Sequence, residues 1–269
     1  MSTAHRGRNL SDLTWIEASE VLVRRPIGLL PIGAIEAHGP HLPLDTDVII
    51  ATATASRALD RLEAAGTPAL ILPPITYSVS FVGTSFAGTT PVEPDPFEAY
   101  LTSILIQHLR QGYRAIVCCN AHLEPASVER VATASRSVTQ RTGTPVLFPD
   151  QRLEPYVNLL SDEFRAGARH AGGYETSIVM ATRPDAVRMD RLAGLEPVWI
   201  DLPARLKEGA QTFAEAGATL GYFGEPATST IEEGERMLDA LAEIVMIALR
   251  DAGVDLSPDS RANVHPLSS

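Results

Sequence analysis

The sequence predicts an α/β fold of three layers, α/β/α, with a mostly parallel central sheet. Short apolar runs bounded by Gly or Pro alternate with longer segments of helical periodicity, the pattern of βα units. Those runs are apolar at successive positions, as strands covered by helices on both faces must be. At 269 residues, 45% hydrophobic and 20% charged, the chain exceeds an average domain of roughly 100–200 residues but stays within what one large α/β unit reaches. One domain over residues 1–269 is therefore expected, with flexible ends at about 1–10 and 255–269.

The first strand is "IGLLPI", Ile27–Ile32, between Pro26 and Gly33. A polar stretch leads into residues 47–66, an Ala-rich amphipathic helix ended by Gly66. Residues 69–73, "ALILP", form a second buried strand, while 74–90 are too rich in turn formers for a core element. Asp95 followed by Pro96 starts a helix whose apolar spacing holds to Gly112. "RAIVCCN", 114–120, is the third strand, 124–143 the helix after it, and "TPVLFP", 144–149, the fourth strand. "YETSIVMAT", 174–182, suits a helix or a strand equally, closed by Pro184 and Asp185. From Gly221 a Gly/Pro loop leads into a long amphipathic helix, and the polar tail beyond it is expected to be mobile.

A net charge of −11, with only 22 scattered Lys and Arg, argues against a nucleic-acid surface, which needs clustered cations. No apolar run approaches the roughly 20 residues that span a bilayer, so no membrane partner is expected. The opening "MSTAHRGRNLSDLTW" has no apolar h-region, and a cytoplasmic protein is expected. Cys118 and Cys119, adjacent in an apolar segment, read as buried reduced thiols.

Three segments that follow apolar runs carry metal-ligating side chains. They are Glu36, His38, His41, Asp45 and Asp47; then His122 and Glu124 in "NAHLE"; then His170 and Glu175 in "RHAGGYETS". Histidine and carboxylate together suit zinc, manganese or iron. Residues two apart on an extended strand end point the same way, so Glu36 with His38, and His122 with Glu124, can each address one site, with Asp47 as a bridge between two cations. Singly, each residue has an ordinary explanation: one histidine near a strand end is more often hydrogen-bonded structure, and Asp45 with Thr46 suits a helix cap. Structural needs alone do not explain two such pairs directly after buried strands. No P-loop, Rossmann fingerprint or nucleophile elbow around Ser80 or Ser177 is present, so metal-assisted hydrolysis is the chemistry these residues support.

"LLPIGAIEAHGPHLPLDTDV" closely resembles the signature of the creatininase (creatinine amidohydrolase) family, P-x-G-S/A-x-E-x-H-G-P-H-L-P-L-x-T-D. "FAGTT", "NAHLEPA", "HAGGYETS" and "GYFGEPATSTIEEG" resemble the family's later motifs in order, from about residue 27 to residue 235. The resemblance implies a three-layer α/β/α fold, two divalent metal ions, frequent hexamers, and hydrolysis of a C–N bond in a small cyclic or linear amide. Carried over by motif position, Glu36, Asp47 and His122 would hold one ion and His38, Asp47 and Glu124 the other. His170 would shuttle protons, and Glu175 would orient it or complete a metal shell. Ser80, Phe81 and Leu123 would face a small-molecule amide substrate, with His41 and Asp45 in supporting roles. Creatinine-hydrolysing members carry a tyrosine where this chain has Leu123 and a Trp-Asp pair where it has Ala166 and Gly167, so creatinine itself is not the expected substrate. Peptide-trimming and deformylating members make a peptidase or deformylase the second reading, and a non-catalytic ligand-binding protein the third.

Overall fold

The computed structural model describes residues 8–257. The expected flexible ends at 1–7 and 258–269 lie outside the described residues, whereas Arg8 and Leu256 are tied down. The Ile71 N–H donates to the Arg8 carbonyl at 2.9 Å, and the Thr67 hydroxyl donates to the Leu256 carbonyl.

Four strands, β1 (Ile27–Ile32), β2 (Ala69–Ile71), β3 (Ala115–Asn120) and β4 (Val146–Leu147), form a parallel sheet in the order β2-β1-β3-β4. Ile27 lies opposite both Ala69 and Ala115, and Ile32 opposite Asn120. Before the sheet, α1 (Trp15–Leu22) starts in a capping box, the Thr14 hydroxyl accepting from the Glu17 N–H and the Glu17 carboxylate from the Thr14 N–H. Helices α2 (Thr46–Ala64), α3 (Pro94–Arg110) and α4 (Pro125–Thr142) make the three parallel crossovers. Along the chain follow the short helices α5 (Asp162–Arg165), α6 (Gly173–Thr182), α7 (Met189–Leu192), α8 (Leu202–Lys207) and α9 (Phe213–Ala216), and α10 (Ile231–Asp251) is the last helix of the described residues.

All six residues of β1 are buried, and the period of two sorts them onto two faces. Leu30 and Ile32, with Ile116 and Cys118 of β3, pack on Leu101 and Leu105 of α3 and Val131 and Val138 of α4. Ile27 and Leu29, with Ala115 and Val117, pack on Ala58 and Leu62 of α2 and Val245 and Leu249 of α10. At about 1.5–3 kcal/mol for each large apolar side chain buried, these two seams hold the three layers together.

The strands are shorter than the apolar runs suggest. Pro73 and Pro74 follow β2, and Pro145 and Pro149 bracket β4; proline cannot donate to a ladder. "YETSIVMAT" forms α6, because its apolar residues line a face packed on α10. There a Cβ at Gly234 would lie 2.0 Å from the Ser177 carbonyl oxygen, so only glycine permits the approach. Because the strands are parallel, their C-terminal ends share one edge, and α2 and α4 begin there. In open α/β sheets this edge is where ligands bind.

Candidate metal centre

The chain leaves β1 at Ile32 and turns back on α2 through Gly33. A Cβ at Gly33 would lie 2.6 Å from the Val48 nitrogen and 2.9 Å from the Asp47 Cβ, so the glycine lets the first turn of α2 press against the strand end. Asp47 thereby meets Glu36 and His38, whose loop is pinned by Glu36 N–H to Leu44 carbonyl (3.0 Å) and Gly39 N–H to Gly221 carbonyl (2.8 Å). Asp47 and Glu175 sit in the first turns of α2 and α6, and Glu124 occupies the N-cap position of α4. All three carboxylates therefore lie where unpaired helix N–H groups and the helix dipole favour negative charge.

The three histidines share one arrangement. Each places one ring nitrogen on a backbone carbonyl: His38 Nδ1 on Glu36 (3.1 Å), His122 Nε2 on Val79 (2.7 Å) and His170 Nε2 on Ala37 (2.9 Å). A carbonyl only accepts, so those nitrogens carry the proton and the opposite nitrogens face carboxylates. His122 Nδ1 lies 3.2 Å from Glu36 Oε1 and 3.1 Å from Asp47 Oδ2. His38 Nε2 lies 3.3 Å from Asp47 Oδ1, 3.5 Å from Glu175 Oε2 and 3.9 Å from Glu36 Oε1. His170 Nδ1 lies 3.5 Å from Glu36 Oε1. Ligand atoms thus converge in three trios: Glu36, Asp47 and His122; His38, Asp47 and Glu175; Glu36, His38 and His170.

Glu36, His38, Asp47 and Glu175 are each no more than 2% exposed, and leaving isolated charges this deep costs several kcal/mol per ion. The charges hold one another in place. Burial pushes the Glu36 carboxyl up, but the His122 and His170 rings outweigh it and hold it at about 2. Burial likewise opposes ionisation of Asp47, and His38 and His122 pull it well below the usual carboxylate range. His38 rises to about 10: burial works against its charge, and Asp47 and Glu175 prevail. His122 is also raised, its burial overcome by Glu36 and Asp47. Glu175 is pushed up to about 8, first by burial and then by Asp47. His170 falls to about 4 through burial and the His38 charge, and so stays neutral at pH 7.

These residues fit divalent cations. His38 Nε2 and Asp47 Oδ2 are buried without a hydrogen-bond partner. Histidines oriented by backbone carbonyls, with the opposite nitrogen turned to carboxylates, are what metal ligation requires. Without a cation, imidazolium protons must compensate the clustered carboxylates.

The second trio contains Glu175 where the family resemblance implies Glu124. The Glu124 carboxylate instead accepts from the Phe81 and Val82 N–H groups, at 3.2 and 3.1 Å, and stands on the wall of the adjoining cleft. The chain past Asn120 is no longer a strand, so the two-residue spacing no longer sets how His122 and Glu124 are oriented, though both line the same cleft. Ser80 is fully buried, donates to Glu36 Oε2 at 2.5 Å and is outside the cleft lining. The Phe81 side chain is exposed and outside the cleft lining, where Val82 stands instead; Leu123 does line the cleft. His41 Nε2 meets the Thr176 hydroxyl at 2.8 Å, tying the first loop to α6. Asp45, at the N-cap position of α2, makes no side-chain cap and pairs with Arg183 at 2.9 Å.

Glu163, which no motif marks, anchors the third segment. Its carboxylate accepts from the N–H groups of Gly173 (3.0 Å), Tyr174 (2.6 Å) and Glu225 (2.7 Å), fixing the start of α6 beside the strip that carries Phe223. Gly224, at φ +76°, is required here, since a Cβ would fall 2.0 Å from Glu163 Oε1. The Phe223 N–H then holds the His170 carbonyl at 3.0 Å, and the His170 ring stacks on Phe213 with centroids 4.3 Å apart.

The centre opens into a cleft of about 490 Å³. Besides Glu36, Asp47, His122 and His170, its walls bring in Arg152, Arg169, Trp199 and Leu206, far apart in sequence and within no periodic pattern. A lone tryptophan in the polar stretch "EPVWIDLP" is the one signal that could have marked this wall.

Cations in such a setting acidify water and polarise a carbonyl beside a cleft that admits a substrate, and the class this defines is the metal-dependent hydrolases. A family model, Creatininase: Creatinine amidohydrolase, matches residues 11–249, and the chain belongs to this family of amidohydrolases. The mycofactocin precursor peptide peptidase of Mycolicibacterium smegmatis is 33% identical over 217 residues, 79% of each chain. The creatinine amidohydrolase of Pseudomonas putida is 28% identical over 261 residues, 90% of this chain and 96% of that one. A solved structure described as "Creatininase Mn" aligns with a TM-score of 0.67 at 26% identity, over 91% of this chain and 98% of that one. A mutant creatininase of "Zn-Zn type" aligns with a TM-score of 0.68 at 26% identity and the same coverage.

Proposed function

We propose that this protein hydrolyses a C–N bond of a small lactam, cyclic urea or linear amide with the aid of two divalent cations, zinc, manganese or iron. Glu36, Asp47 and His122 would hold one and His38, Asp47 and Glu175 the other, with Asp47 shared. The observation that carries this reading is the convergence of buried carboxylates with histidine nitrogens, among which His38 Nε2, like Asp47 Oδ2, has no hydrogen-bond partner. When bound, the cations supply an acidified water and a polarised carbonyl.

The chain's own residues position and move the protons. Ser80 fixes one Glu36 oxygen so that the other faces the histidines. His170, neutral and braced by Phe213, borders the cleft, so it takes a proton and returns it to the departing nitrogen. Glu124, half-buried and raised by burial, stands on the same wall as a second proton carrier. Leu123, Ala166 and Gly167 line the cleft without an aromatic ring or an acid, so creatinine turnover is not expected. The test is a screen of the metal-loaded protein against lactams, cyclic ureas, hydantoins and formamides. Turnover that chelation abolishes and Glu124→Gln diminishes supports the reading; binding without turnover would make the protein a ligand binder.

Hydrolysis of a linear peptide, or of a formamide, is the second reading. It is favoured by the cleft's extension along Trp199, Leu202 and Leu206 and by the likeness to the mycofactocin precursor peptide peptidase. Cleavage of short peptides without lactam opening would establish it. We further place the protein in the cytoplasm as a homo-oligomer, with a hexamer as the expected form. The exposed Trp15 (80%) and Val23 (78%) offer apolar surface for subunit contacts, and the adjacent free thiols of Cys118 and Cys119 suit a reducing compartment. No helix of the described residues is long and apolar enough to cross a membrane.

A further inference from the structure

Arg152 and Arg169, brought together from separate segments, line the same cleft as Glu36 and His170. Arg152 is held in place by Asp150, with Nε 2.9 Å from Oδ1 and Nη2 2.8 Å from Oδ2. Arg169 is fixed differently. Its Nε donates to the Phe164 carbonyl at 3.0 Å and its guanidinium carbon sits 4.8 Å above the Phe164 ring. Among the described residues no carboxylate pairs with it. The acids of the cleft wall outside the metal trios are otherwise engaged: Glu124 with the Phe81 and Val82 N–H groups, and Asp201 with the Ala204 N–H at 3.0 Å.

A half-buried guanidinium, oriented by a carbonyl and an aromatic face and in no salt bridge, with Asp150 acting on it only at longer range, is built to receive a planar anion from the cleft. Two arginines against one aspartate leave a single positive charge, which matches a carboxylate and not a phosphate dianion. Ile200 and Leu206, in the lining of the same cleft, suit an apolar spacer between anion and amide.

We propose that Arg169, with Arg152 behind it, forms a carboxylate subsite, and that the natural substrate is an amide or lactam bearing a free carboxylate near the scissile C–N bond. This deepens the amidohydrolase reading and rests on it for the identity of the bond cleaved. Arg169 directly precedes His170, so a carboxylate held there sets the substrate's reach toward the proton carrier.

The test compares 2-pyrrolidone-5-carboxylate with its neutral carboxamide on the zinc-loaded protein, by titration calorimetry and by turnover. The subsite predicts that the acid binds about tenfold or more tightly than the carboxamide. Arg169→Gln should erase that difference by weakening acid binding, Arg169→Lys should keep part of it, and Arg152→Gln should weaken acid binding by a smaller factor. Acid and carboxamide binding alike in the unchanged protein would overturn the subsite. So would full acid affinity in Arg169→Gln, which would mean that the cations alone hold the carboxylate. If Arg169→Gln fails to fold, Arg169→Lys and Arg152→Gln binding the acid as tightly as the unchanged protein would overturn it equally. Arginine-dependent acid binding with no amide turned over would leave the subsite standing and remove the hydrolase reading.

Discussion

Replacing Glu175 with Gln should change stability in opposite directions with and without metal. In the metal-free protein burial raises this carboxyl from 4.5 to about 8, so at pH 7 the folded state keeps it neutral while the unfolded chain ionises it. A folded pKa above the unfolded one means stability fully present below pH 4.5 and lost as pH rises toward about 8. At pH 7, about 2.5 units above 4.5, the loss at about 1.4 kcal/mol per unit is on the order of 3 kcal/mol. Glutamine cannot ionise, yet its carbonyl can still accept from the Ala171 N–H, which lies 2.6 Å from the Glu175 carboxylate. Metal-free Glu175→Gln should therefore melt roughly 6–12 °C above the unchanged protein at pH 7, with no gap near pH 4.5. With zinc the order should reverse, because the variant loses a charged ligand, binds one ion where the unchanged protein binds two, and gains less from metal. Thermal melts across pH with and without zinc, paired with elemental analysis, read both. A metal-free variant that is less stable at pH 7, or one that still carries two ions, would refute the reasoning.

Asp47→Asn should remove both ions and lower any metal-dependent turnover by about 100-fold or more, because Asp47 belongs to two trios; elemental analysis showing two ions in this variant would contradict it. His38, raised to about 10, His122, and Glu175, raised to about 8, must each give up a proton to bind metal. Zinc affinity measured by chelator competition should accordingly rise between pH 6 and pH 7 by about tenfold for each proton released, and a pH-independent affinity would exclude the assigned ligands. Gly224→Ala should destabilise the fold by about 1–3 kcal/mol and reduce turnover, since its Cβ would press on Glu163 at a φ of +76°; an unchanged melting temperature would remove Glu163 as the anchor of α6. Ser80→Ala should leave the KM for any amide nearly unchanged while weakening metal retention, because its hydroxyl meets Glu36 and not the cleft; a large KM effect alone would return Ser80 to the substrate.

The sheet and the first metal segment are legible because their causes are local. Apolar period and proline punctuation place β1, α2 and β3, and the density of ligands after Ile32 marks the site and, through its motif, the family. Pairing between segments is not local. Whether Glu124 or Glu175 completes the second trio depends on where α6 docks, and α6 is docked by Glu163, Gly224 and Gly234 through contacts that leave no periodic trace. The two-residue spacing of His122 and Glu124 carries no direction because extended geometry ends at Asn120, and Glu124, at the N-cap of α4, accepts from Phe81 and Val82. Ser80 lies in a stretch with neither helical nor strand period, so only the folded chain places it against Glu36. The cleft wall from Arg152 to Leu206 is equally silent in sequence, because it is assembled from short helices and turns.

The most direct test of the dinuclear centre is a crystal structure of the zinc-loaded protein with anomalous data at the zinc edge. Two peaks are predicted, each with ligand atoms at about 2.0–2.2 Å: one among Glu36, Asp47 and His122, the other among His38, Asp47 and Glu175, with Asp47 between them. A single peak, or a second ion held by Glu124 while Glu175 stays unbound, would contradict it.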